Sequence, residues 1–117
     1  MFIHYQTSDI EMTDSLSDYI QKRFDSLDKL FDSPEAHVHI RKEPPSQKHG
    51  EGLFQIVATI RDGGKEYTAD HASHDMYVAI DNIKDDLQRV VRKAKTTEES
   101  LFKRGARKIK NMLRYDT

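Results

Sequence analysis

The spacing of apolar residues changes several times along the chain, and each change marks an element. Residues 2–7, FIHYQT, mix β-branched, aromatic and polar side chains and predict a short strand. A helical period then begins. Thr13 is a good N-cap and Asp14 lies in the first turn, where the helix dipole favours an acid. Leu16, Ile20, Phe24, Leu27, Leu30 and Phe31 follow at steps of three or four, giving one apolar stripe over about five turns. Ser33-Pro34 is expected to end it.

Residues 36–42, AHVHIRK, alternate and predict a half-buried strand, with Ala36, Val38 and Ile40 on one face and His37, His39 and Arg41 on the other. A polar loop, EPPSQKHGEG, occupies 43–52. A second alternating run, LFQIVATIR at 53–61, places Phe54, Ile56, Ala58 and Ile60 together. Asp62-Gly63-Gly64 is a hairpin turn, and KEYTADHA at 65–72 is the returning strand. In the stretch from Ser73 to Lys95 the helical period returns through Met76, Ala79, Ile80, Ile83, Leu87, Val90, Val91 and Ala94. Thr96 and Glu99 have the spacing of a capping box. Residues 98–114 therefore predict either a third helix or an extension of the second, and the spacing does not decide between them.

The order is β-α-β-β-β-α. Hairpin-linked strands are antiparallel, whereas the first strand reaches the second through a helix and can lie parallel to it. Each helix must bury one stripe. The economical solution is an α+β two-layer sandwich, a four-stranded sheet with both helices on one face, followed by a basic C-terminal helical tail.

Charge changes this picture more than composition does. The 117 residues fit one domain, 33% are charged, and the formal net charge is only −1. The two ends differ sharply, however. Residues 84–117 carry 11 Lys/Arg against 5 Asp/Glu, and the preceding 83 residues carry 8 against 15. A basic limb on an acidic body points to a phosphate-bearing partner. No apolar run is long enough to span a membrane. The opening MFIHYQTSD lacks a signal-peptide pattern, and the absence of cysteine fits a cytoplasmic address.

Signals for catalysis are weak. The chain shows no Gly-rich phosphate loop and no nucleophile elbow, so no enzyme, cofactor or small-molecule substrate is expected. Six histidines raise the question of a metal. His37 and His39 share one strand face, and His71 and His74 flank the end of another strand. Without a thiolate or a helical His pair, they read as polar residues on the open face of the sheet, and no metal site is expected. The stronger signal is cationic. Arg89, Arg92 and Lys93 are neighbours on a helix surface, Lys95 follows, and Lys103, Arg104, Arg107, Lys108, Lys110 and Arg114 continue the series. Lys22, Arg23 and Lys29 lie off the first stripe. Helices packed side by side would merge these groups into one ridge suited to RNA phosphates.

Three segments resemble the ribosome hibernation promoting factor family, which includes protein Y. They are IEMTDSLSDYIQKRFDSLDKLFD at 10–32, HIRKEP at 39–44 and DMYVAIDNIKDDLQRVVRKAK at 75–95. The Asp-Met-Tyr-x-Ala-Ile-Asp motif ahead of a basic amphipathic helix carries most of the likeness, which spans residues 1–95 and leaves 96–117 as a basic tail. The resemblance implies a fold like that of a double-stranded-RNA-binding domain. It also implies a non-enzymatic, cytoplasmic inhibitor of translation. Such proteins bind the small ribosomal subunit and its ribosomal RNA in the mRNA and tRNA channel at the A and P sites. There they hold idle ribosomes inactive in stationary phase or stress. Carried over by position, the RNA-binding candidates are Lys22, Arg23, Lys29, Arg41, Lys42, Arg89, Arg92, Lys93 and Lys95. Asp75 is expected to cap the second helix, and Met76 and Ile80 to pack. Tyr77 either stacks on RNA or covers the sheet edge.

Three residues depart from the family pattern. Ser26 and Asp86 stand where lysine is common, and Val90 where glutamine is common. Long members carry a further domain that pairs ribosomes, and the 22 residues after Lys95 are too few for it. Two other readings compete with ribosome binding. One is a module for a different structured RNA, and the other is a regulatory adaptor acting through the basic tail.

Overall fold

The computed structural model describes residues 1–43 and 52–115, with side chains up to Glu98. Its elements are β1 (Phe2–Ser8), α1 (Asp14–Asp25), a 3-10 turn (Asp28–Leu30), β2 (Glu35–Lys42), β3 (Phe54–Asp62), β4 (Lys65–Ser73) and α2 (Met76–Tyr115). The sheet order is β1-β2-β3-β4. β1 runs parallel to β2, and the two remaining pairings are antiparallel.

One face of the sheet makes the core. Ile3, Ala36, Val38, Ile40, Ile56, Ala58, Ile60, Tyr67 and Ala69 are buried there against Leu16, Ile20, Phe24 and Leu27 from the first helical segment and Ala79, Ile80, Ile83, Leu87 and Val91 from α2. Period-two alternation in the strands and period-3.6 spacing in the helices thus converge on a single apolar layer. Tyr5 OH donates to the Ser17 carbonyl at 3.4 Å and Gln21 Nε2 to the Met1 carbonyl at 2.7 Å, which sets α1 over β1. The β3–β4 hairpin closes through Gly63 and Gly64 at φ 58° and 81°, a conformation that a Cβ disfavours. Just before it, the Asp62 carboxylate accepts from the backbone N–H of Asp32 and Ser33 at 3.2 and 2.8 Å, pinning the α1–β2 connection.

The structure corrects the expected elements in two places, the end of α1 and Val90, and decides between the two continuations left open after residue 96. α1 ends at Asp25, well short of Ser33-Pro34, and the later apolar residues continue in the 3-10 turn. The Ser26 hydroxyl donates to the Arg23 carbonyl at 2.6 Å and the Leu27 N–H to the Phe24 carbonyl at 2.9 Å, which tightens the last turn. Thr96 does not restart a helix. Its hydroxyl and that of Thr97 donate back to the Arg92 and Lys93 carbonyls at 2.9 and 3.0 Å, so α2 runs unbroken as an extension. Val90 leaves the buried stripe and is 40% exposed, because Leu87 and Val91 centre the buried arc and residue 90 falls at its margin.

At 40 residues α2 is about 60 Å long, twice the span of the strands beneath it. The Asp75 carboxylate caps it, accepting from the Tyr77 and Val78 N–H groups at 2.9 and 3.4 Å. An ion pair from Lys65 to Glu98 ties the hairpin end of the sheet to the same helix and raises the Lys65 pKa. The polar loop expected over 43–52 falls largely outside the described residues.

Candidate RNA interface

Both helices lie on the same side of the sheet, and their outward surfaces carry the candidate cations. On α1, Lys22 is exposed and Arg23 half-buried; Lys29 is exposed in the 3-10 turn. On α2, Arg89, Arg92 and Lys93 are exposed. A shallow groove between the helices is lined by Lys22, Arg23, Ser26, Asp81, Lys84 and Asp85. Spacing does not single out Lys84, because it sits beside the buried Ile83. The fold nevertheless brings it opposite Lys22, across a gap of 62 residues in sequence.

The candidates divide by what already holds them. Arg23 Nε donates to Asp81 at 2.7 Å, its Nη2 donates to Tyr19 OH at 3.0 Å, and its guanidinium lies 4.5 Å from the Tyr19 ring centre. Tyr19 OH also donates to Asp81, at 2.8 Å. This triad braces α1 against α2. Lys95 is turned inward, donating to the Leu30 carbonyl and lying over the Phe31 ring at 5.7 Å. It follows the buried Val91 by four residues and so shares its side of the helix. Arg41 donates to Gln55 and to Glu43, and Lys42 covers Phe54 at 5.6 Å. Arg89 is held by Asp86 at 3.1 Å. Among the described residues, Lys22, Lys29, Arg92 and Lys93 make no ion pair, which leaves their ammonium and guanidinium groups open to a phosphate.

Tyr77 is 46% exposed, and its ring meets Tyr19 edge to face at 4.8 Å, so it seals the α1–α2 junction instead of the sheet edge. With Phe54, Lys42, His74 and Met76 it lines an open depression of about 580 Å³ at the helix N-termini. Two histidines expected on the open sheet face sit elsewhere. His71 bonds Asn82 of α2 at 2.9 Å, because odd-numbered β4 residues face the helices, and His74 Nδ1 bonds the Gly52 carbonyl at 2.7 Å. His37 and His39 do occupy the open face.

The brace has a pH signature. Burial raises the Asp81 pKa, but the hydrogen bonds from Arg23 and Tyr19 outweigh it and hold the carboxyl below its usual range. The Arg23 pKa is raised, chiefly by the same hydrogen bond. A depressed carboxyl stabilises the fold above its unfolded pKa of about 3.9 and loses that contribution as pH falls through the lower folded value. Asp81→Asn should therefore lower stability at neutral pH, with the gap from wild type narrowing below about pH 4. Urea unfolding across a pH series checks this, and a gap independent of pH would refute it.

The surface just described sits within a sequence of known kind. The family described as sigma 54 modulation protein / S30EA ribosomal protein matches residues 3–99. The ribosome hibernation promoting factor of Pseudomonas putida is 29% identical over 107 residues, covering 91% of this chain and 98% of its own. That of Azotobacter vinelandii is 31% identical over 96 residues, covering 81% and 83%. Among solved structures, the Thermus thermophilus protein Y N-terminal domain has a TM-score of 0.66 at 24% identity, covering 80% of this chain and 98% of that domain. A ribosomal subunit interface protein from Coxiella burnetii has a TM-score of 0.68 at 16% identity, covering 82% and 99%, so the same sheet and helix pair recur. With the match running from β1 into α2, the chain belongs to the sigma 54 modulation protein / S30EA ribosomal protein family, that of the ribosome hibernation promoting factors.

Proposed function

We propose that this protein is a cytoplasmic, ribosome-associated inhibitor of translation. It binds the small subunit in the mRNA and tRNA channel, at the A and P sites, and keeps idle ribosomes inactive in stationary phase or stress. The observation that carries the reading is the family match over residues 3–99, which takes in the sheet, α1 and α2 as far as residue 99. The mechanism is exclusion and charge neutralisation, without bond chemistry. The sandwich fills space that mRNA and tRNA would use, and the helix cations replace counterions on ribosomal RNA. Residues 1–95 act as the binding unit and 96–117 as an added basic tail.

Within this reading, Lys22, Lys29, Lys84, Arg89, Arg92 and Lys93 face phosphates, and Arg41 and Lys42 add a second point of contact at the strand ends. Arg23 and Lys95 hold the helices in place for them. Tyr77, 46% exposed, offers its ring for stacking.

Co-sedimentation with purified small subunits over a salt series tests the proposal. Binding at low salt should decline linearly in log–log form, and translation in a cell-free system should fall as the protein is added. Absence of co-sedimentation at low salt would overturn it. Competition by another structured RNA as effective as the subunit itself would favour a different RNA target.

Asp86 sharpens the test. It neutralises Arg89 at 3.1 Å, at a position where family members commonly have lysine. Asp86→Lys should release Arg89, add a cation and tighten subunit binding severalfold at low salt, with a salt slope steeper by about one unit. Weaker binding would mean that the interface lies elsewhere.

A further inference from the structure

The sheet face turned away from the helices carries a side-chain cluster that RNA binding does not use. His4 of β1 and His37 of β2 are register partners in the parallel ladder. Their rings stack 4.6 Å apart at an interplanar angle of 13°. Glu35 stands two residues before His37 on the same face. Its carboxylate is hydrogen-bonded to His4 Nε2 and lies 4.0 Å from His37 Nε2. One ligand atom from each residue lies within 4.8 Å of the other two, and no other such triad occurs among the described residues.

We propose that His4, Glu35 and His37 form a binding site for a late first-row divalent cation, zinc above all. Two imidazole nitrogens and one carboxylate oxygen are the donors such ions prefer over magnesium or calcium. A tetrahedral zinc ion holds its ligand atoms about 3.3 Å apart, so the exposed side chains close the triad by rotating the stacked rings toward a common point. The ion takes the place of the His4–Glu35 hydrogen bond, each imidazole binding through an unprotonated ring nitrogen, and water completes the coordination. All three side chains are about half exposed, at 45%, 51% and 44%, so entry needs no opening of the fold.

The surroundings fit a built site. The Phe2 ring meets His4 edge-on at 4.6 Å and shields one flank. Arg61, opposite Glu35 on β3, is taken up by Glu66 at 3.2 Å, so the Glu35 charge stays available. His39, farther along the same face, is engaged with Ser8 at 3.1 Å and serves as an internal control. A bound ion would link β1, an edge strand held on one side only, to the sheet interior. It would therefore stabilise the native state in proportion to its occupancy.

Calorimetric titration of zinc chloride into tag-free, chelator-stripped full-length protein tests the site. One ion should bind per chain in the micromolar range. His4→Ala and His37→Ala should each weaken binding by about ten-fold or more, and His39→Ala should change it less than about two-fold. At ten times the Kd, zinc should raise the wild-type Tm by about 5 °C. Metal-free Tm values near wild type would show that the variants remain folded, and Glu35→Gln gives a third probe if one histidine variant does not. Absence of zinc binding would overturn the proposal. So would undiminished binding to both histidine variants, or an equal loss in His39→Ala.

Discussion

Replacing Arg89, Arg92 and Lys93 together with glutamate is expected to weaken small-subunit binding by at least about 100-fold at moderate salt. The three positions are three and four residues apart, so they form one patch on the outer surface of α2, and all three side chains are exposed. Removing three phosphate partners flattens the salt dependence by about three units or less, and the added acids repel phosphates over a Debye length of about 10 Å at 0.1 M salt. The fold should survive, because none of the three is buried and the one ion pair lost, Arg89–Asp86, is at the surface. A paired control, Gln6→Glu with Thr68→Glu, adds acid to the open sheet face and should leave binding within about two-fold, since distant charges are screened. The control changes the charge by −2 against −6 for the triple variant, so a logarithmic loss of about one third of the triple variant's would mean that net charge matters and not location. Unchanged binding in the triple variant would remove α2 from the interface.

The expected magnitude depends on how the fold sorts the cations, and sequence reveals only part of that sorting. Strand and helix periods are local, so the four strands, both helices and their shared buried face were legible from alternation and spacing. The helix boundaries were harder. Leu27, Leu30 and Phe31 fit a helical period because a 3-10 turn also recurs every three residues, and only the Ser26 hydroxyl and the tightened Leu27 hydrogen bond distinguish the two. Thr96 with Glu99 matched a capping box in spacing, yet a mid-helix threonine can return its hydroxyl to the preceding turn, as it does here.

Partners distant in sequence were less legible still. Arg92 and Lys95 look alike in a string of basic residues, but a helix turns each position by about 100°, so Lys95 faces the Leu30 carbonyl while Arg92 faces out. Arg23 belongs to the first-helix cations by spacing, whereas Asp81 and Tyr19 make it a brace. His4 and His37 are 33 positions apart and become adjacent only through the parallel β1–β2 register. The lone signal was the alternation that put His37 on the open face, with an equally placed histidine on β1.

Truncating Phe24 to alanine is expected to be the most damaging single change to stability, at about 3–5 kcal/mol. Phe24 is 1% exposed and closes the stripe begun by Leu16 and Ile20 in the last turn of α1. The chain tightens there into the 3-10 segment, so the backbone around the lost ring is held by the Leu27 and Ser26 hydrogen bonds and has little freedom to collapse into the cavity. Against a typical total of about 5–15 kcal/mol this removes a large share, equivalent to a fall in Tm of about 10–20 °C. Phe24→Leu, which keeps most of the volume, should cost well under half as much. Val90→Ala provides the contrast. Apolar spacing alone ranks Val90 with the core, but at 40% exposure its truncation should change stability by less than about 0.5 kcal/mol. Urea unfolding of the three variants at fixed pH separates these effects, provided the m-value stays at its wild-type level. Comparable losses from Phe24→Ala and Val90→Ala would show that the apolar stripe, not the burial seen in the fold, governs stability. A loss below about 1 kcal/mol in Phe24→Ala would mean that α1 does not anchor the sandwich.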